Sequence, residues 1–231
     1  MMKAKTLQPV RLFAASFAML CGLSLAACAQ TSGEFSPLQL MLFSDTVTFP
    51  SDSARLLIQA LQVQFDSTRF YDPTYVKIDY PGGDVSLSTG VCADVVVRSF
   101  RSLGVDLQVR MHEDMGKNFG RYPKNWGLSK PDKNIDHRRV ANQMVFFERM
   151  GKGLEVADSG EHDLKSFQPG DIVAWMLPGN LYHIGIVTHI RSPYSDNLVI
   201  AHNIGRGAEL HDCLFAWEII GHYRWFGGGG A

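Results

Sequence analysis

Gly90-Val91-Cys92-Ala93-Asp94-Val95-Val96-Val97 and Tyr182-His183-Ile184-Gly185-Ile186-Val187 decide how this chain reads. The first stretch puts a cysteine at the head of an apolar run that stops at Gly104, a residue suited to closing a helix. Three consecutive valines also fit a buried strand, but the length from Cys92 to Leu103 and the glycine stop favour a helix. A thiol at a helix start meets the positive end of the macrodipole and unpaired N–H groups, which favour the thiolate. The second stretch puts a histidine at the head of a strand-like run, where it can take the thiol's proton and return it. Cys92 therefore reads as a nucleophile and His183 as its general base and acid.

Upstream, Pro50-Ser51-Asp52-Ser53 is a helix-start signal, followed by Leu57, Leu61 and Phe65 at helical spacing. Asp72-Pro73 and Pro81-Gly82-Gly83-Asp84 bracket an extended run over 75–78. Residues 105–167 are mixed in pattern: a loop over 119–134 rich in Pro, Asn and Lys, then a helix over 136–150 closed by Gly151. This segment reads as an insertion that shapes a cleft. Short strands follow over 172–175, 184–190, 198–202 and 219–225, separated by Pro, Gly and Asn turns, which describes an antiparallel meander. Helices first and sheet after is the α+β class.

The chain has 231 residues, 45% of them hydrophobic and 19% charged, with a net charge of −1. That composition is globular and gives no electrostatic reason to expect nucleic acid. Lys3, Lys5 and Arg11 precede an apolar run over 12–27 that is too short to span a bilayer, as in a signal peptide. Leu25-Ala26-Ala27-Cys28 resembles the bacterial lipoprotein signal, in which the cysteine carries the lipid. Cleavage after Ala29 by an ordinary signal peptidase competes with it. Both readings place the mature chain in the cell envelope, and the lipid anchor implies the outer membrane facing the periplasm. The organisation is then a leader over 1–28, an extension over 29–50, a catalytic domain over 51–226 and a Gly-rich tail over 227–231. Of the four cysteines, Cys21 and Cys28 belong to the leader. Cys92 and Cys213 remain, and can pair as a disulfide or stay free, with Cys213 a small buried apolar residue.

The order Tyr80, Gly82-Gly83, Gly90-Val91-Cys92-Ala93, Pro169-Gly170-Asp171-Ile172-Val173, His183-Ile184-Gly185-Ile186 and Val199-Ile200-Ala201-His202 resembles the NlpC-type cell-wall peptidases. From about 53 to 226 the chain is also similar to a bacterial secreted family catalogued as a domain of unknown function. The stretches Pro178-Gly179-Asn180 and His202-Asn203-Ile204-Gly205 add to that likeness. The resemblance implies a papain-like fold, with a helix carrying Cys92 packed on an antiparallel sheet, no cofactor, and peptidoglycan stem peptides as substrate. It implies that a polar residue on the strand after His183 orients the imidazole. His202 is the first choice and Asn203 the second, since neighbours on a strand point to opposite faces. Tyr80 is a candidate oxyanion donor, although its spacing to the glycines is one residue short. Asp94 reads either as a charge that suits the helix N-terminus or as an acid that contacts substrate, and Trp126 is a candidate cleft residue. His183, His189, His202 and His211 with Asp212 offer metal-ligating atoms, but no His-Glu-x-x-His or Cys-x-x-Cys spacing is present, so no metal is expected. An acyltransferase and an inactive binding module use the same residues and stay open.

If Cys28 carries lipid, cells fed labelled palmitate will label the wild-type protein and not Cys28→Ser. An unlabelled wild type would remove the anchor.

Overall fold

The computed structural model describes residues 47–156 and 164–227. The leader with Cys28, most of the 29–50 extension and residues 228–231 lie outside the described residues. Among the described residues no helix is long and apolar enough to cross a membrane.

The helical layer begins where the Ser51 hydroxyl accepts a hydrogen bond from the Ala54 N–H, capping α1 (Asp52–Gln59). Helix α2 (Leu61–Ser67) follows almost without a break and buries Leu61 and Gln64. The Gln64 amide donates to the Val95 carbonyl and the Ser99 hydroxyl of α3 (Cys92–Arg101), pinning the two helices together. Helix α3 is buried on nearly every side, which answers the ambiguity of the valine run. Val95, Val96, Val97 and Phe100 pack on neighbours in several directions, and that tertiary packing overrides the weak helicity of valine. Gly104, at φ +77°, turns the chain out of the helix.

Within the segment read as mixed, Asp106 caps a further helix, α4 (Leu107–Asn118). The helix expected over 136–150 divides into a tight turn, Asp136–Arg138, and α5 (Val140–Arg149). Both helices pack on α3 through Met111, Met115, Phe146 and Phe147, so residues 105–156 supply part of the main core. The extended run over 75–78 forms no strand. Pairing occurs at its flanks, where β1 (Phe70–Tyr71) and β2 (Thr89–Gly90) run parallel with Tyr71 opposite Gly90.

The sheet is five-stranded and antiparallel, with strands β3 (Ile172–Leu177), β4 (Leu181–Arg191), β5 (Leu198–Asn203), β6 (Ala208–His211) and β7 (Glu218–Tyr223) in the order β6-β5-β4-β3-β7. The meander runs β3-β4-β5-β6, and so differs from the expected one at its last member: β6 has no strand signal in the sequence, and the strand expected over 219–225, β7, pairs with the opposite edge of β3. The fold is α+β. Alternation along the strands gives the sheet two apolar faces. Ile172, Ala174, Ile184, Ile186, Val199 and Ala201 meet the helices. Val173, Trp175, Val187, Ile200 and Ile219 meet Cys213 and Leu214 on the far side, where the Trp175 indole donates to the Leu214 carbonyl at 2.9 Å.

Gly170-Asp171 couples the layers. Gly170 has φ +93°, and an added Cβ would come within 2.9 Å of Ala54 on α1. Asp171, 1% exposed, accepts from the Gln168 N–H, from His222 Nε2 at 2.7 Å and from both forks of Arg224 at 2.7 Å. One carboxylate therefore holds the start of β3 to β7 and to the chain just beyond it. Removing it strands a guanidinium and an imidazole around a buried hole. We expect Asp171→Ala to cost about 3 kcal/mol of unfolding free energy, read as a lower urea midpoint at unchanged slope. A change under about 0.5 kcal/mol, the scale of a neutral surface substitution, would show that Asp171 does not hold the sheet.

Candidate active site

Cys92 is the first residue of α3, and its backbone is set by a buried ion pair. Asp94 accepts from the Val91 N–H at 2.7 Å and from the Nε and Nη2 atoms of Arg138 at 2.8 and 2.9 Å. Arg138 also donates to the carbonyls of Asp72 and Thr74, so one guanidinium joins the approach to β2, the helix start and the turn at 136–138. Of the two readings of Asp94, substrate contact fails and the charge at the helix start holds: it is buried and fully engaged, a structural carboxylate that fixes the first turn of the helix.

The thiol faces a cavity of about 420 Å³ lined by Tyr71, Tyr75, Trp126, Arg138, Arg139 and Tyr182 among others. Trp126 stands in this cleft as expected, with the Arg139 guanidinium 3.9 Å above its ring. Tyr80 does not. Its ring packs edge-on against His112 at 5.2 Å, with the Lys133 ammonium over it, away from the cleft lining. The phenol that shares the cavity with the thiol is Tyr71, which the parallel β1–β2 pairing carries to Gly90. Desolvation of its hydroxyl, then the neighbouring Cys92 and Asp94, push it up to about 12, so it is a donor at neutral pH. Local sequence could not reveal Tyr71, because a two-residue strand pair across a long loop delivers it.

Burial also dominates Cys92. The N–H groups of Ile184, Ala93 and Cys92 itself favour the thiolate, yet desolvation outweighs them, Asp94 adds to it, and the thiol is pushed up to about 12. The helix N-terminus therefore does not produce a resting thiolate. Cys92 and Cys213 are both free, which removes the disulfide alternative.

His183 and His202 are brought together: His183 Nε2 lies 2.7 Å from His202 Nδ1, with both rings buried. Asn203 faces the other way, as alternation requires. Its amide donates to the Gly90 carbonyl at 3.0 Å and its oxygen accepts from the N–H groups of Gly205 and Gly207, so it anchors the approach to Cys92 rather than the imidazole. The histidine pair lies on the far face of the sheet, against Trp175 and Trp217. Cys92 belongs to the helix face and meets the sheet at the peptide N–H of Ile184, the residue after His183. No hydrogen bond joins Cys92 to His183 among the described residues. Burial lowers His183 to about 4 and His202 below its ordinary value, so both are neutral. Gly185 lets β5 come close: a Cβ there would lie 2.7 Å from Ile200 Cγ2, 3.0 Å from the Ala201 oxygen and 3.2 Å from His202 Cβ.

The model of the family described as Domain of unknown function (DUF1287) matches residues 58–225, which contain every residue of this site. The chain belongs to the DUF1287 family. It is 50% identical over 163 residues, 71% of this chain and 77% of the relative, to "Uncharacterized protein YijF" of Escherichia coli strain K12. No solved structure matches. In this DUF1287 domain the match runs through α4 and α5, so residues 105–156 lie within the family's shared extent as well as within its core.

A thiol held neutral by burial has a simple signature. Alkylation of Cys92 by iodoacetamide will rise about tenfold per pH unit from pH 7 to pH 10 without a plateau, since the thiolate fraction grows that way below the pKa. A plateau below pH 9 would show a stabilised resting thiolate.

Proposed function

We propose that this protein is an envelope cysteine hydrolase of the NlpC-type papain-like class that cleaves amide bonds in peptidoglycan stem peptides. The observation that carries the reading is the buried His183–His202 pair, 2.7 Å apart, set one residue from the peptide N–H that faces the Cys92 thiol. A helix headed by cysteine, packed on an antiparallel sheet that presents histidines on successive strands, supports the class. The leader resembling a lipoprotein signal supports the compartment, with the outer membrane as anchorage.

Both His183 and Cys92 start neutral, so the chemistry begins with proton transfer rather than with a standing ion pair. In this reading the thiol's proton passes to His183 as sulfur attacks the amide carbon, which requires the two, on opposite faces of β4 in this structure, to be brought together when substrate fills the cleft. His202 Nδ1 accepts from His183 Nε2–H, which keeps the other nitrogen of His183 free to take the proton. The oxyanion is met by the Cys92 N–H and the Tyr71 hydroxyl. His183 then protonates the leaving amine, leaving a thioester that water hydrolyses to the carboxylate, with release of the thiol. An amine replacing that water would make the enzyme an acyltransferase. Trp126, Tyr75 and Tyr182 offer faces for the peptide, and Arg139 offers a cation to its carboxylates.

The second reading is a peptidoglycan-binding module, favoured by the missing Cys92–His183 hydrogen bond.

Digestion of purified peptidoglycan, with muropeptides read by mass spectrometry, separates the two. Wild type should release new peptides. Cys92→Ala should release none, and His202→Ala should lose at least about 100-fold of the rate, the scale of a positioned proton-transfer group. Cosedimentation with peptidoglycan but no product from a folded wild type would leave the binding module.

A further inference from the structure

We propose that His202, His211 and Cys213 form a binding site for one soft divalent transition metal ion, zinc being the natural candidate. Their donor atoms lie within 4.8 Å of one another, and all three residues are buried. The sheet register explains the gathering: Ile200 pairs with His211, so His211 sits diagonally from His202 on the same face, with ring centroids 5.3 Å apart. The Cys213 N–H then bonds back to the His211 carbonyl at 3.0 Å, a tight turn that folds the thiol under His202, 4.0 Å from Nδ1. Trp217 packs against both imidazoles.

The second observation is a buried donor with no task. His202 Nε2 makes no hydrogen bond, and the nearest charged atom is Glu209 Oε1 at 4.0 Å. Two imidazoles and a thiol are a zinc and cobalt donor set, with Glu209 placed to complete a tetrahedron. Tetrahedral zinc spaces its ligand atoms about 3.5 Å apart, so the side chains here need only small inward rotations. On binding, the sulfur–metal bond replaces the Cys213 S–H bond and one proton leaves to solvent. Sequence spacing hid the site, since its ligands come from two strands and the turn beyond them. His189 and Asp212, from the set considered in the sequence, are elsewhere engaged: His189 packs on Phe49, and Asp212 accepts from Ser192 and Ser195.

The site shares His202 with the proposed catalytic pair, and this consequence rests on the proposed function. A metal on Nδ1 displaces His183 directly. A metal on Nε2 leaves the His202 proton on Nδ1, so His202 can no longer accept from His183. Either way the His183 tautomer needed for catalysis loses its partner. The ion is therefore an inhibitor.

Titration of the metal-free protein with cobalt(II) chloride reads the site without any activity. One equivalent should bring up a thiolate-to-cobalt charge-transfer band and the strong visible bands of tetrahedral cobalt, and zinc should bleach both. Cys213→Ala should abolish the charge-transfer band, and His211→Ala should weaken cobalt binding at least about tenfold. Cys92→Ala should leave the spectrum unchanged. If Cys213→Ala does not fold, Cys213→Ser stands in for it. No band in the wild type, or a band that survives loss of Cys213 or disappears with Cys92, would overturn the site. Where peptidoglycan is cleaved, zinc should slow the wild type and spare Cys213→Ala; equal inhibition of both would overturn the regulatory step and leave the site itself to the spectrum.

Discussion

The arrangement depends on the buried contact between Asp94 and Arg138. Desolvating both charges offsets most of their attraction, so the pair adds little net stability over an apolar replacement of equal shape. What it supplies is placement. Its two hydrogen bonds, with those to Val91, Asp72 and Thr74, fix three segments far apart in the chain around one guanidinium. The cleft, the first turn of α3 and the loop that delivers Tyr71 are all consequences of where that guanidinium sits.

The second constraint is the period of two along β4 and β5. It sends Ile184 and Asn203 toward the helices and His183 and His202 toward the far core. The site is therefore built from both sides of one sheet: the thiol and its aromatic cleft on one face, the paired imidazoles on the other. Burial rather than the helix dipole governs the resting charge in both halves, leaving a neutral thiol on one face and neutral histidines on the other.

The elements with strong local signals were legible in the sequence. Ser51 capping α1, Gly104 closing α3, and the strands that follow Gly170 and Tyr182 are all where periodicity and turn residues put them. The position of Cys92 at the head of a helix, Trp126 in the cavity and the His183–His202 contact were readable too, whereas the expected pairing of Cys92 with His183 is not formed. What local pattern cannot carry is long-range delivery. Tyr71 reaches the thiol through a parallel pair of two residues, while Tyr80, the phenol that the resemblance picks out, packs on His112. Of Asp94 only the helix-start role was readable, because nothing near it in sequence announces Arg138, which arrives from a turn far downstream. Helix α4 escaped notice because its buried positions include Gln108, a polar residue tied to the Asp79 and Lys133 carbonyls and the Gly83 N–H rather than part of an apolar stripe.

Gly185 sets the distance between the two imidazoles by having no side chain. The atoms a Cβ would strike belong to Ile200, Ala201 and His202, so any substituent there acts on β5 where it carries the second imidazole of the pair. The fold could absorb a small local parting of β4 and β5, because the remaining ladder and both cores would hold. A 2.7 Å hydrogen bond has no such slack. If the proposed chemistry holds, selection on it would then fall on a residue that takes no part in it, and a lineage that relaxed position 185 would keep the architecture while parting the imidazoles.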